Sequence, residues 1–223
     1  NNENPIFLNE YRQAFRNGFI ILDTSYTEGY KKTNSTKTKG SRNHIFANAD
    51  FDFNNDDTYL SHLSFKIQKT SNDTYFRIHD INSALVDSTN TDLKNEINYR
   101  YEKDNIYFNI SASAYENLRK KTNARYEYIA PNILFGKSFF TERFGSIDVT
   151  TNALYRNYDV DTHLSSVTND IVWSSNNFIT KKGFVNTFQS VFKNTNYEAK
   201  NSTTHKTDGI INEFSGVLGY KSS

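Results

Sequence analysis

Apolar and polar residues alternate from Leu93 to Ala114, and the alternation predicts a β-hairpin. Apolar residues fall mainly on odd positions up to Tyr101, with Lys, Glu, Asn and Arg between them, and the pattern restarts at Ile106 after a polar break at residues 103–105. Successive side chains of a strand point to opposite faces, so this hairpin has one apolar and one charged face. Each strand has about ten residues, the length that a tilted strand needs to cross a bilayer.

Similar patterns elsewhere predict about eleven strands in the whole chain. The predicted strands cover residues 5–15, 18–28, 45–53, 62–67, 93–102, 106–114, 124–135, 145–157, 163–173, 183–193 and 210–220. The Asn17-Gly18 dipeptide is typical of a tight hairpin turn, because both central residues of such a turn have positive φ. Pro131 cannot donate to a ladder, so a bulge or an open ladder is expected there.

The predicted connections alternate between short and long. The mostly short ones are 16–17, 54–56, 103–105, 136–144 and 174–182, and the mostly longer ones are 30–43, 70–92, 117–123, 158–162 and 194–209, with 158–162 an exception. Such alternation is typical of an up-and-down outer-membrane barrel, whereas a Greek-key sandwich does not require it. We therefore predict an all-β fold, an antiparallel up-and-down transmembrane β-barrel segment. An odd strand number makes it an incomplete barrel.

Composition narrows the functional classes. The chain has 26 basic and 25 acidic residues and a net charge of +1, so no bulk charge favours nucleic acid. It has no Cys, which excludes disulfides and thiolate metal sites. The longest wholly apolar run is residues 19–22, too short for a transmembrane helix. Mean hydropathy is −0.74, which suits a barrel with a wet interior.

No pattern of catalytic or metal-binding residues stands out. The five His residues are scattered, and none forms a pair two or four residues apart. Asp159 and Asp161 flank a turn, where Asp is favoured for its local hydrogen bonds. The chain has no Gly-rich phosphate loop and no nucleophile elbow. We expect no enzyme activity, no metal site and no cofactor.

Three short motifs occur in an order that resembles a known family. They are Glu10-Tyr11-Arg12 before the Asn17-Gly18 turn, the segment 71–77 with Asp73, Thr74, Tyr75 and Arg77, and Asp161-Thr162-His163. Their sequence and spacing resemble the lipopolysaccharide-assembly outer-membrane protein family, in the form common in alphaproteobacteria. The resemblance extends in order over most of the chain.

The resemblance implies transport without covalent chemistry, in a translocon barrel of the bacterial outer membrane. Lipopolysaccharide would be the cargo, surrounded by outer-membrane lipid. Two protein partners are implied, a plug lipoprotein in the lumen and a periplasmic lipopolysaccharide-bridge protein. Residues 1–223 would then be part of one β-barrel domain, with the N-terminal periplasmic domain and the C-terminal strands outside this sequence. The alternatives are another outer-membrane channel, such as a porin or nutrient transporter, and a soluble β-sandwich surface binding module.

The polar positions of the predicted strands are the candidate lumen residues. These are Lys94, Glu96, Asn98, Arg100, Asp50, Asp52, His62 and Lys66. If the apolar positions face lipid, these mixed charges face inward and can solvate phosphorylated sugars. A basic loop is a second candidate site, for phosphates of neighbouring lipopolysaccharide, although a flexible solvated loop is the favoured explanation. Its residues are Lys31, Lys32, Lys37, Lys39 and Arg42.

Overall fold

The computed structural model describes residues 5–28, 41–53, 58–87, 89–120, 123–158, 161–202 and 209–222, without the side chains of residues 77, 78 and 123. Described residues form twelve strands, one helical turn and one 3-10 turn. The strands are β1 (Phe7–Phe15), β2 (Gly18–Glu28), β3 (Ser41–Asp52), β4 (Leu60–Thr70), β5 (Asp92–Lys103), β6 (Ile106–Asn117), β7 (Tyr126–Thr141), β8 (Gly145–Tyr158), β9 (Thr162–Ser174), β10 (Phe178–Ile179), β11 (Val185–Lys200) and β12 (Gly209–Ser222). The helical turn α1 is Tyr75–Ile78, and the 3-10 turn is Asn123–Arg125.

The strands form one antiparallel, up-and-down sheet that is not closed. The strands β1 to β9 follow one another in chain order, and β11 then pairs with β9, β10 and β12. Among the described residues, the two-residue β10 is the only addition to the eleven predicted strands. The all-β class, the up-and-down order and the open sheet are therefore confirmed. The hairpin predicted around residues 103–105 is β5 and β6, joined by residues 104–105.

Several predicted boundaries are wrong. β7 continues through Pro131 to Thr141, and β11 reaches Lys200, because backbone pairing does not stop where alternation of side chains weakens. The exception predicted at 158–162 is present, because three residues join β8 to β9, whereas ten separate β9 from β11. The predicted connection 16–17 is confirmed, but Gly18 is not part of the turn, since Arg16 and Asn17 form it and Gly18 already pairs with Phe15.

The chain divides into two compact units. Unit 1 comprises Asn1–Phe53, His62–Asn98 and Ser113–Glu127, and unit 2 comprises Asn54–Ser61, Tyr99–Ala112 and Tyr128–Ser223. In unit 1 the neighbours of Gly18 explain why this position is a glycine. A Cβ at Gly18 would overlap the carbonyl oxygen of Asp50, and the Phe15 and Phe51 rings lie 5.9 Å apart beside it. This close approach of three strands requires glycine.

Unit 1 has one apolar and one polar sheet face. Residues opposite each other in an antiparallel ladder share a face, so Ile20, Ala49 and Phe65 form one apolar row. Phe65 and its face neighbour Ile45 remain exposed. The other face bears most of the polar positions of β2, β3 and β4.

The hydrophobic core of unit 1 lies against that polar face. Residues 71–91 connect β4 to β5, and we call this segment the strap. The buried core cluster combines four strap residues with one residue of β3 and one of β5: Tyr75, Phe76, Ile81, Val86, Phe46 and Leu93. The connection predicted at 70–92 therefore exists, but it is a folded segment with its own packing.

Unit 2 repeats the two-faced pattern in β8, β9, β11 and β12. Val149, Ile171 and Phe192 are consecutive partners across the ladder and form an apolar row. On the other face Asp170 is opposite Lys193, and their charged atoms lie 3.4 Å apart. Ile171 and Phe192 are exposed, so this unit also leaves an apolar face uncovered.

Candidate functional site

Four predicted lumen residues share the polar face of unit 1. Asp52 is opposite His62 in the ladder, and Asp50 and Lys66 follow at alternate positions. The Nδ1 atom of His62 lies 2.8 Å from Asp52 Oδ1, and its Nε2 lies 3.4 Å from Asp50 Oδ1. The histidine ring thus bridges two carboxylates across β3 and β4.

Three further predicted residues occupy alternate positions of β5 in unit 1. Lys94 Nζ lies 2.6 Å from Glu96 Oε2, and Asn98 follows two residues later on the same side of the strand. Ser113 Oγ donates a hydrogen bond of 2.8 Å to Glu96 Oε2. Lys94 also lies over the Tyr115 ring, 5.7 Å from its centroid. This charged row is therefore paired internally.

Arg100, the remaining predicted residue of β5, belongs to unit 2. Its guanidinium donates a hydrogen bond of 2.9 Å to Glu102 Oε2 and lies 5.4 Å from the centroid of the Tyr107 ring. Both side chains of the pair are about half exposed. Because the Arg100–Glu102 pair is exposed, it contributes little to stability and is part of a solvated polar surface.

A buried hydrogen-bond network lies on the polar face beneath the strap. His44 is wholly buried, with its Nδ1 2.5 Å from Ser25 Oγ and its Nε2 3.2 Å from Asp23 Oδ1. The Tyr75 hydroxyl of the strap lies 2.7 Å from the same Ser25 Oγ. Ser25 and His44 are direct partners in the β2–β3 ladder, which brings them together. Sequence reasoning missed this network.

The network has the residue types of a Ser–His–Asp hydrolase but is covered. A substrate carbonyl would have to approach Ser25 Oγ, where the Tyr75 hydroxyl lies. Phe46 stacks on the His44 ring at 4.4 Å, and Phe76 contacts its edge at 6.0 Å between centroids. In this arrangement the histidine satisfies buried polar groups and holds the strap.

A second network, of charged groups, holds the strap at its start. Arg125 donates hydrogen bonds of 2.6 Å to Asp73 of the strap and 2.5 Å to Glu116 of β6. Lys69 lies 3.1 Å from the other Glu116 oxygen, and the Glu116 side chain is almost completely buried. The hydrogen bond that Arg125 donates to Asp73, together with its hydrogen bond to Glu116 and the charge of that carboxylate, raises the pKa of Arg125 above its ordinary value. A buried carboxylate requires such partners.

The strap and the sheet enclose a polar recess of about 480 Å³ in unit 1. Strap residues 82–87 form one wall, and Lys66, Gln68, Asp92 and Lys94 contribute the others. Two predicted lumen lysines therefore face the same open space. Polar groups dominate this recess, which suits a hydrated ligand better than an apolar one.

The family-motif residues fall in three separate places. Glu10, Tyr11 and Arg12 are exposed on β1, where Arg12 Nε lies 2.5 Å from Glu10 Oε1. Asp73, Thr74 and Tyr75 belong to the strap. Thr74 donates its hydroxyl to Asn72 Oδ1 at 2.8 Å, and Tyr75 is wholly buried. The side chain of Arg77 lies outside the described part of the chain.

The third motif lies at the turn between β8 and β9. Asp161 has a φ of 58° and lies 2.9 Å from Lys200 Nζ, while Thr162 is buried at the start of β9. The salt bridge with Lys200 lowers the pKa of Asp161. The His163 ring stacks on Tyr155 with centroids 6.4 Å apart. This motif ties the β8–β9 turn to the end of β11.

The predicted basic loop is largely outside the described residues. Lys31, Lys32, Lys37 and Lys39 fall in the undescribed range 29–40. The assignment of Arg42 to this loop is wrong, because Arg42 lies in β3 opposite Thr27. The prediction began this strand at residue 45, where the alternation of apolar residues begins. The β2–β3 ladder instead extends back to Ser41, which pairs with Glu28.

Comparison with known proteins adds no assignment. No protein-family model matches the chain, and no curated protein matches it. Within the described residues, no helix is long and apolar enough to span a membrane. Among those same residues, no three His, Cys, Asp or Glu side chains come together as they would around a metal ion.

Proposed function

We propose that this chain forms part of the wall of an outer-membrane barrel that assembles lipopolysaccharide at the cell surface. The observation that carries the proposal is the two-faced sheet, with an exposed apolar face and an opposite face of paired charges in each unit. Ten of the twelve strands have 11 to 16 residues, enough to cross a bilayer when tilted. The order of the three family motifs supports lipopolysaccharide as the cargo.

Aromatic residues near the strand ends support the membrane assignment. In unit 1, Phe15, Phe51 and Phe53 lie on the apolar face, where β1 and β3 end. In unit 2, Phe144 and Trp173 lie together, because Trp173 Nε1 donates a hydrogen bond of 2.7 Å to the Phe144 carbonyl oxygen. Aromatic side chains are enriched at membrane–water interfaces, where one part of the ring is apolar and another is wet.

The polar face suits a passive conduit. Lys66 and Lys94 present ammonium groups to the recess, and Glu96 beside them carries the compensating charge. Ammonium groups hydrogen-bond phosphate oxygens, and carboxylates accept from sugar hydroxyls. Mixed charges of this kind bind each group weakly enough to release it, as conduction requires. The barrel supplies a path, and the energy comes from elsewhere.

Cysteine accessibility in intact cells tests the assignment of the two faces. The chain has no native Cys, so single substitutions at positions 64 to 67 of β4 report cleanly. We expect an impermeant thiol reagent to label Ser64→Cys and Lys66→Cys and to spare Phe65→Cys and Ile67→Cys. Equal labelling at all four positions would place the sheet in water and favour a surface binding module.

Depletion of the protein tests the cargo. Loss of lipopolysaccharide from the cell surface, restored by the wild-type gene, is expected for an assembly barrel. The same two-faced geometry would suit a porin or nutrient transporter, for which depletion leaves surface lipopolysaccharide normal and reduces uptake of a small solute. That result would replace our cargo while keeping the barrel.

A further inference from the structure

We infer that the strap is a fixed constriction of the conduit and forms part of its barrier to hydrophilic solutes. This inference rests on the proposed function, because it takes the polar face of unit 1 as the conduit wall. Its own evidence is the way in which the strap is attached. A connecting loop outside the membrane has no need to cover the polar face, whereas this segment folds onto it.

An apolar anchor attaches the first half of the strap. Tyr75 is wholly buried and Phe76 is 5% exposed, and Phe76 contacts the Phe46 ring edge-on with centroids 5.2 Å apart. Phe46 shares its face with His44, two residues earlier on β3, so the contact is with the polar face. Ile81, further along the strap, is also buried in this cluster. Burial of so many apolar side chains keeps the segment folded.

A hydrogen-bonded anchor fixes the position of Tyr75. Its hydroxyl contacts Ser25 Oγ, which in turn contacts His44. The polar groups of all three side chains are thereby partnered within a buried cluster, where an unpartnered group would be costly. This requirement allows one position of the strap on the sheet and disfavours sliding.

Both ends of the strap are tied to neighbouring strands. At the start, Ser71 N donates to the Asn43 carbonyl oxygen at 2.9 Å, and Arg125 holds Asp73. At the end, Leu118 N donates to the Thr91 carbonyl oxygen at 2.7 Å. These attachments come from β3, the 3-10 turn and the end of β6. The strap therefore lies across part of the polar face, and hydrogen bonds hold it near both of its ends.

Solute entry into vesicles that contain the intact protein tests the constriction. Tyr75→Ala removes the apolar and the hydrogen-bonded anchors together, and Arg125→Gln removes the ionic anchor without entering the sheet. We expect both variants to admit hydrophilic oligosaccharides severalfold faster than the wild type. Thr89→Ala, at an exposed strap position outside the recess wall, is the matched control and should leave entry unchanged.

Folding of each variant is checked by heat-modifiable migration, so that loss of the barrel is not mistaken for opening. If Tyr75→Ala does not fold, Arg125→Gln decides the outcome. Folded variants that admit oligosaccharides at the wild-type rate would overturn the constriction. Cysteine labelling at positions 64 to 67 in the same membranes separates the two proposals. If labelling alternates along positions 64 to 67 and solute entry is unchanged in the variants, only the role of the strap as a constriction is refuted. If all four positions are labelled equally, the proposed function is refuted.

Discussion

A charge placed on the apolar face of β4 should destabilise the protein in a bilayer. The size of this destabilisation follows from the depth of the residue in the membrane, which the length of the strand gives. Phe65 is the sixth of the eleven residues of β4 and lies on the apolar face with Ala49. Five residues on either side span about 17 Å along the strand, or about 12 Å in depth at a tilt of about 45°. That is half of an apolar band about 25 Å tall, so Phe65 lies near the bilayer midplane.

Arg at the midplane of a barrel costs roughly 2 to 4 kcal/mol, and this cost falls towards the interfaces. We expect Phe65→Arg to lower the free energy of unfolding by that amount relative to Phe65→Ala, which removes the ring without adding a charge. Ser64→Arg is the matched control, because Ser64 is the preceding residue on the polar face, opposite Asp50. Its expected effect is below about 1 kcal/mol, as for surface substitutions away from special features.

The assay is urea unfolding in lipid vesicles, followed by the fluorescence of Trp173, the single Trp of these 223 residues. A curve with the same slope and a lower midpoint reports stability alone. Equal free energies of unfolding for Phe65→Arg and Ser64→Arg would refute the assignment of Phe65 to lipid. A large loss for Ser64→Arg with none for Phe65→Arg would exchange the two faces.

Three other outcomes are expected in the same unfolding assay. Gly145 and Gly183 both have positive φ, so replacing either by Ala should cost roughly 1 to 2 kcal/mol of stability. Gly145→Ala should cost more than Gly183→Ala, because only the Cβ at position 145 would overlap a carbonyl oxygen of β9. Tyr75→Phe should cost roughly 1 to 3 kcal/mol by removing a buried hydroxyl, with unchanged strand content by circular dichroism. The low pKa of Asp161 means that its salt bridge with Lys200 stabilises the fold above the unfolded-state pKa of about 3.9 and is lost as pH falls through the lower folded value. Asp161→Asn should therefore flatten the dependence of stability on pH between about pH 5 and pH 2, and an unchanged slope would contradict this.

The fold was predictable because the side-chain period of a strand is written directly in the sequence. Each strand needs one apolar face, and a connection interrupts the alternation. Strand ends were less predictable. Backbone pairing determines them, and it continues through Pro131 in β7 and up to Ser41 in β3, where no apolar pattern remains.

The buried network was not predictable, because its members are distant in the sequence. Ser25 and His44 are 19 residues apart, and Ser25 and Tyr75 are 50 residues apart. Their contact depends on the register of β2 and β3 and on how the strap folds. Alternation assigns a side chain to a face, whereas register selects its neighbours. A sequence reading could therefore place His44 on a polar face without finding its partners.

Phe46 shows where the sequence carried a signal that alternation alone could not interpret. In the run from Ile45 to Ala49 the odd positions are apolar, and Phe46 is an apolar residue on the polar side. An apolar residue there gains nothing from water, so it requires a cover from outside the sheet. The strap provides that cover through Phe76. At Phe46 the exception to the alternation thus marks the position onto which the strap folds.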